Sequence, residues 1–311
     1  MRFELTILGS SSALPTSQRN LTAHLLNVYE RFFLIDCGEG TQIQLRRYKI
    51  KFGKINHIFI SHLHGDHIFG LFGLLSSFNL LARENDLHIY AHKPLKKAIE
   101  YIRRNFEGER NYTIRFHPIN PDIKEILYQD KRLEVYSFPL KHQIPTSGFL
   151  FLERPRLPNI KKKYIEKYNI PVKDIHHIKK GGDYKTPEGR ILSHHEITEP
   201  PYHQRSFAFC SDTAYNDNML PYIRNVDLLY HEATFQEEHK TEAAHTMHST
   251  ARQAADIAQK AEAQQLIIGH FSARYKDIQQ LLHEAKEVFD NTIAAEDGLV
   301  HTIQPRRTLR K

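Results

Sequence analysis

Residues 55–67 read INHIFISHLHGDH. The first six form a short, largely apolar run of the kind that fills a buried strand. The next seven, Ser61–His67, hold three histidines and one aspartate, and Gly65 lets the chain turn tightly among them. A strand that ends in a loop can aim several side chains at one point. Imidazole nitrogens with a carboxylate oxygen suit zinc, and a loop this dense in them can serve two adjacent ions. A single histidine in such a place is usually a satisfied core or surface residue. Four ligand-type residues in the register His62, His64, Asp66, His67 are poorly explained that way.

Outward from this stretch, strand-like and helix-like segments alternate. FELTILG (3–9), LTAHLLNVY (21–29) and RFFLIDCG (31–38) are rich in β-branched and aromatic residues and read as strands. EGTQIQLRRY (39–48) reads as a short helix and HIFGLFGLLSSFNLLAREN (67–85) as an apolar one. LHIYAH (87–92) and PLKKAIEYIRRNF (94–106) repeat strand then helix, with Pro94 suited to a first helical turn. SFAFCSD (206–212) and VDLLYHEATF (226–235) are strands, STARQAADIAQKAEA (249–263) a helix, and QQLIIGHFS (264–272) a strand. DIQQLLHEAKEVF (277–289) is a closing helix and GLVHTIQP (298–305) a last strand. The order predicts an α/β (α+β) fold with helices outside sheets and no internal repeat of fixed period.

The chain has 311 residues, 40% of them hydrophobic and 25% charged, enough for one large or two small domains with real cores. Mean hydropathy is −0.53, and no apolar run approaches the ~20 residues that span a bilayer. The opening MRFELTILGS reads as a strand, so neither a secretion signal nor a membrane partner is expected. Cys37 and Cys210 sit in apolar strands and are expected as buried thiols, which suits the cytoplasm. A formal charge of +7 favours polyanionic partners.

That charge is concentrated. From about residue 153 to 205 the chain turns polar and proline-bearing, with twelve Lys or Arg against seven Asp or Glu. Tyr164, Tyr168, Tyr184 and Tyr202 are interleaved with the cations. Composition alone leaves two readings level: a solvated insertion, or an arm that tracks phosphates and stacks on bases.

Two metal ions need more ligands than Ser61–His67 supplies. His142 in FPLKHQIP, Asp212 in FAFCSDTAY and His270 in LIIGHFSARY each close an apolar strand-like run, as the first motif does. The shared position predicts that all of them meet at one edge of the sheets.

With its H-x-H-x-D-H motif, a lone histidine, SDT and GHFSARY in that order, the chain resembles the metallo-β-lactamase superfamily. HEAT (231–234), HST (248–250) and P-x-x-x-R-N (15–20) are similar to signatures of the ribonuclease Z family, the tRNA 3′-processing endonucleases. The matches run from Gly9 to Tyr275. The resemblance implies a four-layer αββα sandwich over 1–311 with a flexible tRNA-binding arm inserted at about 153–205. It implies two Zn2+ per subunit, with Mn2+ or Co2+ as substitutes. One ion would take His62, His64, His142 and Asp212; the other would take Asp66, His67, His270 and the bridging Asp212. It further implies that Asp66 handles the attacking water and that Glu232 holds His248 charged as proton donor to the leaving 3′-oxygen. Arg19, Asn20 and Arg274 are expected near the substrate, and Lys161, Lys162, Lys163, Lys179 and Lys180 along the arm. The partner is precursor tRNA, whose 3′ trailer is removed to leave a 3′-hydroxyl, and the assembly is a homodimer.

The sequence departs from the family's loop motif in one place, with Ser17 where the CCA-sensitive enzymes carry lysine. A second enzyme reading keeps the metals and changes the substrate to a small phosphodiester or sulfate ester. The arm argues against it, because a small substrate has no use for a long basic projection. A third reading, a binding subunit with a dead site, is opposed by the complete set of ligands.

Overall fold

Alternation along the strands divides the apolar residues between two cores. In the computed structural model, which describes residues 2–106 and 109–306, Phe3, Leu5 and Ile7 of the strand Phe3–Gly9 enter one core and Leu8 enters another. Phe33 and Ile35 point inward while Leu34 points out, and Phe59 and Tyr90 pair with outward Ile58 and Ile89 in the same way. Successive side chains of a strand face opposite sides, so such runs are buried on both.

Two seven-stranded sheets result. The first runs Val300–Thr302, Phe3–Gly9, Ala23–Val28, Arg31–Ile35, Ile55–Phe59, Leu87–His92, Ile114–Ile119. The second runs Thr292–Ala294, Leu266–Gly269, Leu228–Glu232, Ser206–Cys210, Ser147–Glu153, Leu133–Pro139, Glu125–Gln129. In each sheet the chain lays antiparallel strands first and parallel strands after them, except that the last strand, Val300–Thr302, returns to add antiparallel to Phe3–Gly9 at the edge of the first sheet. The repeat absent from the sequence is thus present in the topology. Phenylalanines 33, 59, 149, 151, 207 and 209 fill the space between the sheets. Helix Gly65–Leu80 covers the outer face of the first sheet, and Ala251–Lys260 with Gln279–Lys286 cover the second. The expected αββα order is the observed one.

The helix Gly65–Leu80 buries His67, Ile68, Leu71, Leu74, Leu75 and Phe78, a helical stripe that fixes its rotation and therefore where its first turn points. It lies so close to the strand-end loop that a Cβ on Gly70 would sit 1.9 Å from the Gly38 carbonyl oxygen. Only glycine fits there.

Of the three strands in residues 125–153 only the end of Leu133–Pro139, the run that His142 closes, was anticipated from sequence, although Leu133, Val135 and Ser137 alternate with less buried neighbours in the expected way. Residues 153–205 also hold more structure than their composition suggested. Helices Lys162–Tyr168 and Val172–Lys179, a small hairpin of Tyr184–Lys185 with Ile191–Leu192, and a turn of helix at His194–Ile197 enclose a separate core. That core comprises Ile160, Ile170, Ile178, Tyr184, Leu192 and Ile197. A bridge between Ile160 and Thr198 closes the neck. At the base Arg205 and Glu153 form a buried ion pair, with Nη2 2.7 Å from Oε1, and Arg205 also donates to the Ile303 carbonyl.

Candidate metal centre

Every expected ligand sits beyond the carboxyl end of a strand, where the two sheets open. His62 and His64 follow Ile55–Phe59, while Asp66 and His67 occupy the first turn of the following helix, where a carboxylate is favoured by the helix dipole. Asp212 follows Ser206–Cys210 and His270 follows Leu266–Gly269. His142 comes from the turn after Leu133–Pro139. Asp212 and His270 both adopt φ of 58°, the left-handed region that non-glycine residues rarely hold. Asp36, just past Arg31–Ile35, does the same at φ 57°. The chain is bent sharply at three strand ends that line one cleft.

The side chains form two nests that share Asp212. Around its Oδ2 stand His62 Nε2 at 3.6 Å and His142 Nε2 at 3.7 Å. His64 Nδ1 lies 3.1 Å from the first of these and 3.3 Å from the second. Around its Oδ1 stand His67 Nε2 at 3.1 Å and His270 Nε2 at 3.2 Å, each 3.6–3.7 Å from Asp66 Oδ2. Four donors held ~2.0–2.1 Å from one tetrahedral zinc would be about 3.3 Å apart, so both nests have the right dimensions.

Electrostatics lead to the same conclusion. The Nε2 atoms of His67 and His270 are buried without a hydrogen-bond partner, and both face carboxylate oxygens. Burial opposes a charge on His67, yet Asp212 and Asp36 outweigh it and hold its pKa well above the imidazole range. Burial likewise opposes the Asp212 carboxylate, but His270, His67 and His62 hold its pKa well down. The cluster calls for cations between these atoms. Burial lowers the pKa values of His62, His64 and His142, which keeps them in the neutral form that can ligate. The residues present fit a pair of divalent ions.

The rear nitrogens are fixed by groups that the sequence did not announce. Asp36 accepts from the Ser61 N–H at 2.7 Å, the Ser61 hydroxyl at 2.8 Å and His67 Nδ1 at 2.8 Å. Because Ser61 gives its one proton to Asp36, it can only accept from His62 Nδ1, 3.0 Å away. Thr234 repeats the device. Its hydroxyl donates to Glu232 Oε2 at 2.6 Å and so accepts from His270 Nδ1 at 3.0 Å. The Met247 carbonyl takes the Nδ1 proton of His142 at 2.9 Å. In each case the proton sits at Nδ1 and the Nε2 lone pair faces the cleft. Asp36 at the end of an apolar strand was the one signal available in the sequence.

Glu232 is fully buried and accepts five hydrogen bonds, from Thr213 N, Thr234 N and Oγ1, Ser249 N and His248 Nδ1. The last is 2.7 Å long. Burial lowers the His248 pKa, but Glu232 more than compensates and raises it to about 9, while Glu232 itself is held at about 2. His248 stands at the mouth of the cleft, with one nitrogen within 4.8 Å of the Asp212 and His270 donor atoms. An imidazole held charged by a buried carboxylate at that place is suited to donate a proton. His231 points away into the core, its Nδ1 on the Glu232 carbonyl at 2.7 Å.

The residues expected at the substrate divide. Arg19 is buried and donates to the Tyr275 carbonyl at 2.6 Å, and Asn20 binds Asp297 at 2.9 Å. Both fasten their loop to the body, Arg19 to residues 272–275 and Asn20 to Asp297. Arg274 lies at the rim, paired with Glu242 at 2.5 Å and over the Phe235 ring. On the arm Lys162, Lys163 and Lys180 are exposed, whereas Lys161 is tied to the Glu196 carbonyl at 2.6 Å and Lys179 to Asn159 at 3.2 Å.

Comparison with known proteins agrees with this geometry. A family model described as "Beta-lactamase superfamily domain" matches residues 195–271, and one described as "Anti-Pycsar protein Apyc1" matches residues 3–144. The chain is 45% identical to the ribonuclease Z of Bacteroides thetaiotaomicron over 302 residues, 97% of this chain and 96% of that protein. The ribonuclease Z of Parabacteroides distasonis is also 45% identical, over 96% of this chain and 98% of its own. Among solved structures, the short form of human tRNase Z superposes with a TM-score of 0.72 at 26% identity, covering 97% of this chain and 99% of that one.

Proposed function

The chain belongs to the ribonuclease Z family of the metallo-β-lactamase superfamily, and from that premise we propose that it cuts the 3′ trailer from precursor tRNA and leaves a 3′-hydroxyl. The observation that carries the reading is the double nest on Asp212 opening directly against the His248–Glu232 pair.

His62, His64, His142 and Asp212 would hold one ion, and Asp66, His67, His270 and Asp212 the other. When bound, two such ions supply Lewis acidity to a phosphate and a water that ionises near neutral pH. The nitrogen-rich nest favours zinc, and manganese or cobalt can substitute. Asp66 is positioned to take the proton of the attacking water, and its Oδ2 is steadied by the Ala13 N–H at 2.9 Å. His248 gives its proton to the departing 3′-oxygen while Glu232 holds the ring in place. Thr234 and Ser61 keep His270 and His62 in the tautomer that can ligate.

The arm leaves the body at Glu153 and returns at Arg205, the ends of Ser147–Glu153 and Ser206–Cys210 farthest from the metal cleft. Strands of this length put about 20 Å between its base and the centre. This placement supports a homodimer in which the arm of one copy grips the RNA cut by the other. Buried free Cys37 and Cys210 support a cytoplasmic setting, and no helix among the described residues is long and apolar enough to cross a membrane.

The test is to incubate the purified protein with a trailer-bearing precursor tRNA and map the products. One cut near the 3′ end of the mature tRNA, abolished by a chelator and restored by zinc, is expected. Hydrolysis of a nitrophenyl phosphodiester without any cut in the precursor would refute the assignment.

A further inference from the structure

The hairpin that joins Ala23–Val28 to Arg31–Ile35 turns through two residues, Tyr29 and Glu30, both at positive φ (55° and 65°). Such a turn is normally made by Asn-Gly or Gly-Gly, because other side chains strain there. Tyr29 is a costly choice for a turn, and the strain places its ring at the foot of the arm. Four guanidinium groups surround that ring, with Arg132, Arg156, Arg31 and Arg205 at 5.0, 5.2, 5.8 and 5.8 Å from its centre. The Tyr29 hydroxyl bonds Glu153 of the buried ion pair.

Beside the ring lies a cleft of about 140 Å³ lined by Tyr29, Lys131, Arg132, Arg154, Pro155 and Arg156. Three carboxylates serve this crowd: Asp130 pairs with Arg31, Glu134 with Arg154, and Glu153 with Arg205 and Arg156. Lys131 and Arg132 pair with no carboxylate among the described residues and are exposed on a turn that Asp130 fixes by accepting the Arg132 and Leu133 N–H groups. A second cleft of about 470 Å³ adjoins the first through Arg156 and is lined further by Lys179, Tyr202 and Arg205. Cations and aromatic rings therefore run from the Lys131–Arg132 turn to the arm helix Val172–Lys179. One small anion would fill a single cleft. A continuous run of two suits a chain of phosphates.

We propose that the foot of the arm is an RNA-binding site, a track that takes the sugar–phosphate backbone of the precursor about 20 Å from the same copy's metal centre. Resting on the ribonuclease reading above, it assigns to that substrate a contact at the junction of body and arm, centred on Tyr29, Lys131 and Arg132 and not on the arm's exposed lysines. Arg132 and Tyr29 supply a stacked cation and ring, Lys131 a mobile charge, and the Glu153–Arg205 pair a rigid floor.

The experiment compares the parent with Lys131→Ala/Arg132→Ala, and separately with Tyr29→Asn/Glu30→Gly, on a trailer-bearing precursor tRNA across a salt series. For the first variant we expect Kd and KM to rise about tenfold near 0.1 M salt, with the salt slope shallower by roughly 1–2. Saturating precursor should restore the parent's rate, and unfolding midpoint and metal content should match the parent's. The second variant should weaken binding while raising the unfolding midpoint, because Asn-Gly relieves the turn. An unchanged Kd and salt slope in the first variant would overturn the proposal. So would loss of inorganic phosphate binding, measured by titration calorimetry, with RNA affinity intact, since the cleft would then serve a free ion. A parent enzyme that binds but never cuts precursor tRNA would count against the ribonuclease reading and leave the binding comparison valid.

Discussion

The strands Ser147–Glu153 and Ser206–Cys210 lie side by side, and their two ends are built on opposite principles. At the metal end, seven ligand-type side chains face one another around Asp212, and the imidazoles of His62, His67, His142 and His270 are held from behind by a hydroxyl, carboxylate or carbonyl. At the arm end, guanidinium groups crowd round one tyrosine over a buried Arg205–Glu153 pair. The first end is an arrangement of lone pairs awaiting cations; the second is an arrangement of cations awaiting phosphates. One sheet can thus carry a phosphate grip at one end and a metal centre at the other without either charge field neutralising its opposite.

The comparison can be broken most sharply at Asp212. Asp212→Ala removes the one group common to both nests, so both ions should be lost and cleavage should fall by roughly 10³-fold or more. Precursor affinity should stay close to the parent's, which filter binding beside metal analysis would show. A variant that keeps two tightly bound ions would contradict the bridge. At the other end, Arg205→Ala leaves buried Glu153 with the half-buried Arg156 and the Tyr29 hydroxyl, and should cost about 3 kcal/mol of stability in a urea titration. A loss under about 1 kcal/mol would mean that the pair is not what seats the arm.

Two smaller perturbations sharpen the metal end itself. His248→Ala should lower kcat by roughly 10²-fold with both ions retained, because the residue is a proton donor; loss of metal would make it a ligand. Thr234→Val keeps the shape and deletes the hydroxyl between Glu232 and His270. Metal affinity should drop about tenfold in a chelator competition and return in Thr234→Ser. Equal behaviour of the valine and serine variants would remove Thr234 from the site.

Much of the metal end was legible in the sequence because ligands that close apolar runs must gather where strands end. His62, His64, Asp66, His67, His142, Asp212 and His270 all meet as that logic requires. Ser61 and Thr234 were not legible, and Asp36 only by its place at a strand end, since a hydroxyl or carboxylate behind an imidazole is recognised only once the fold brings it there. The anchoring of Arg19 and Asn20 was not legible either: a basic residue in a loop motif reads as substrate contact, and only packing shows Arg19 donating to the Tyr275 carbonyl and Asn20 to Asp297. The foot of the arm was invisible because its residues come from positions 29, 131–132, 154–156 and 205, with no local motif. The duplicated sheet topology left no period because the connections between its strands differ so widely in length.

The bridge at Ile160 and Thr198 bears on how quickly the molecule can assemble. To pair Ser147–Glu153 with Ser206–Cys210, an unstructured insertion would have to close a loop of about 50 residues. Once the neck is formed, that loop shrinks to about a dozen, a saving of roughly 1 kcal/mol in closure entropy. Folding of the insertion's small core ahead of the sheet would therefore draw the two central strands together, making the arm a guide for the body that carries it.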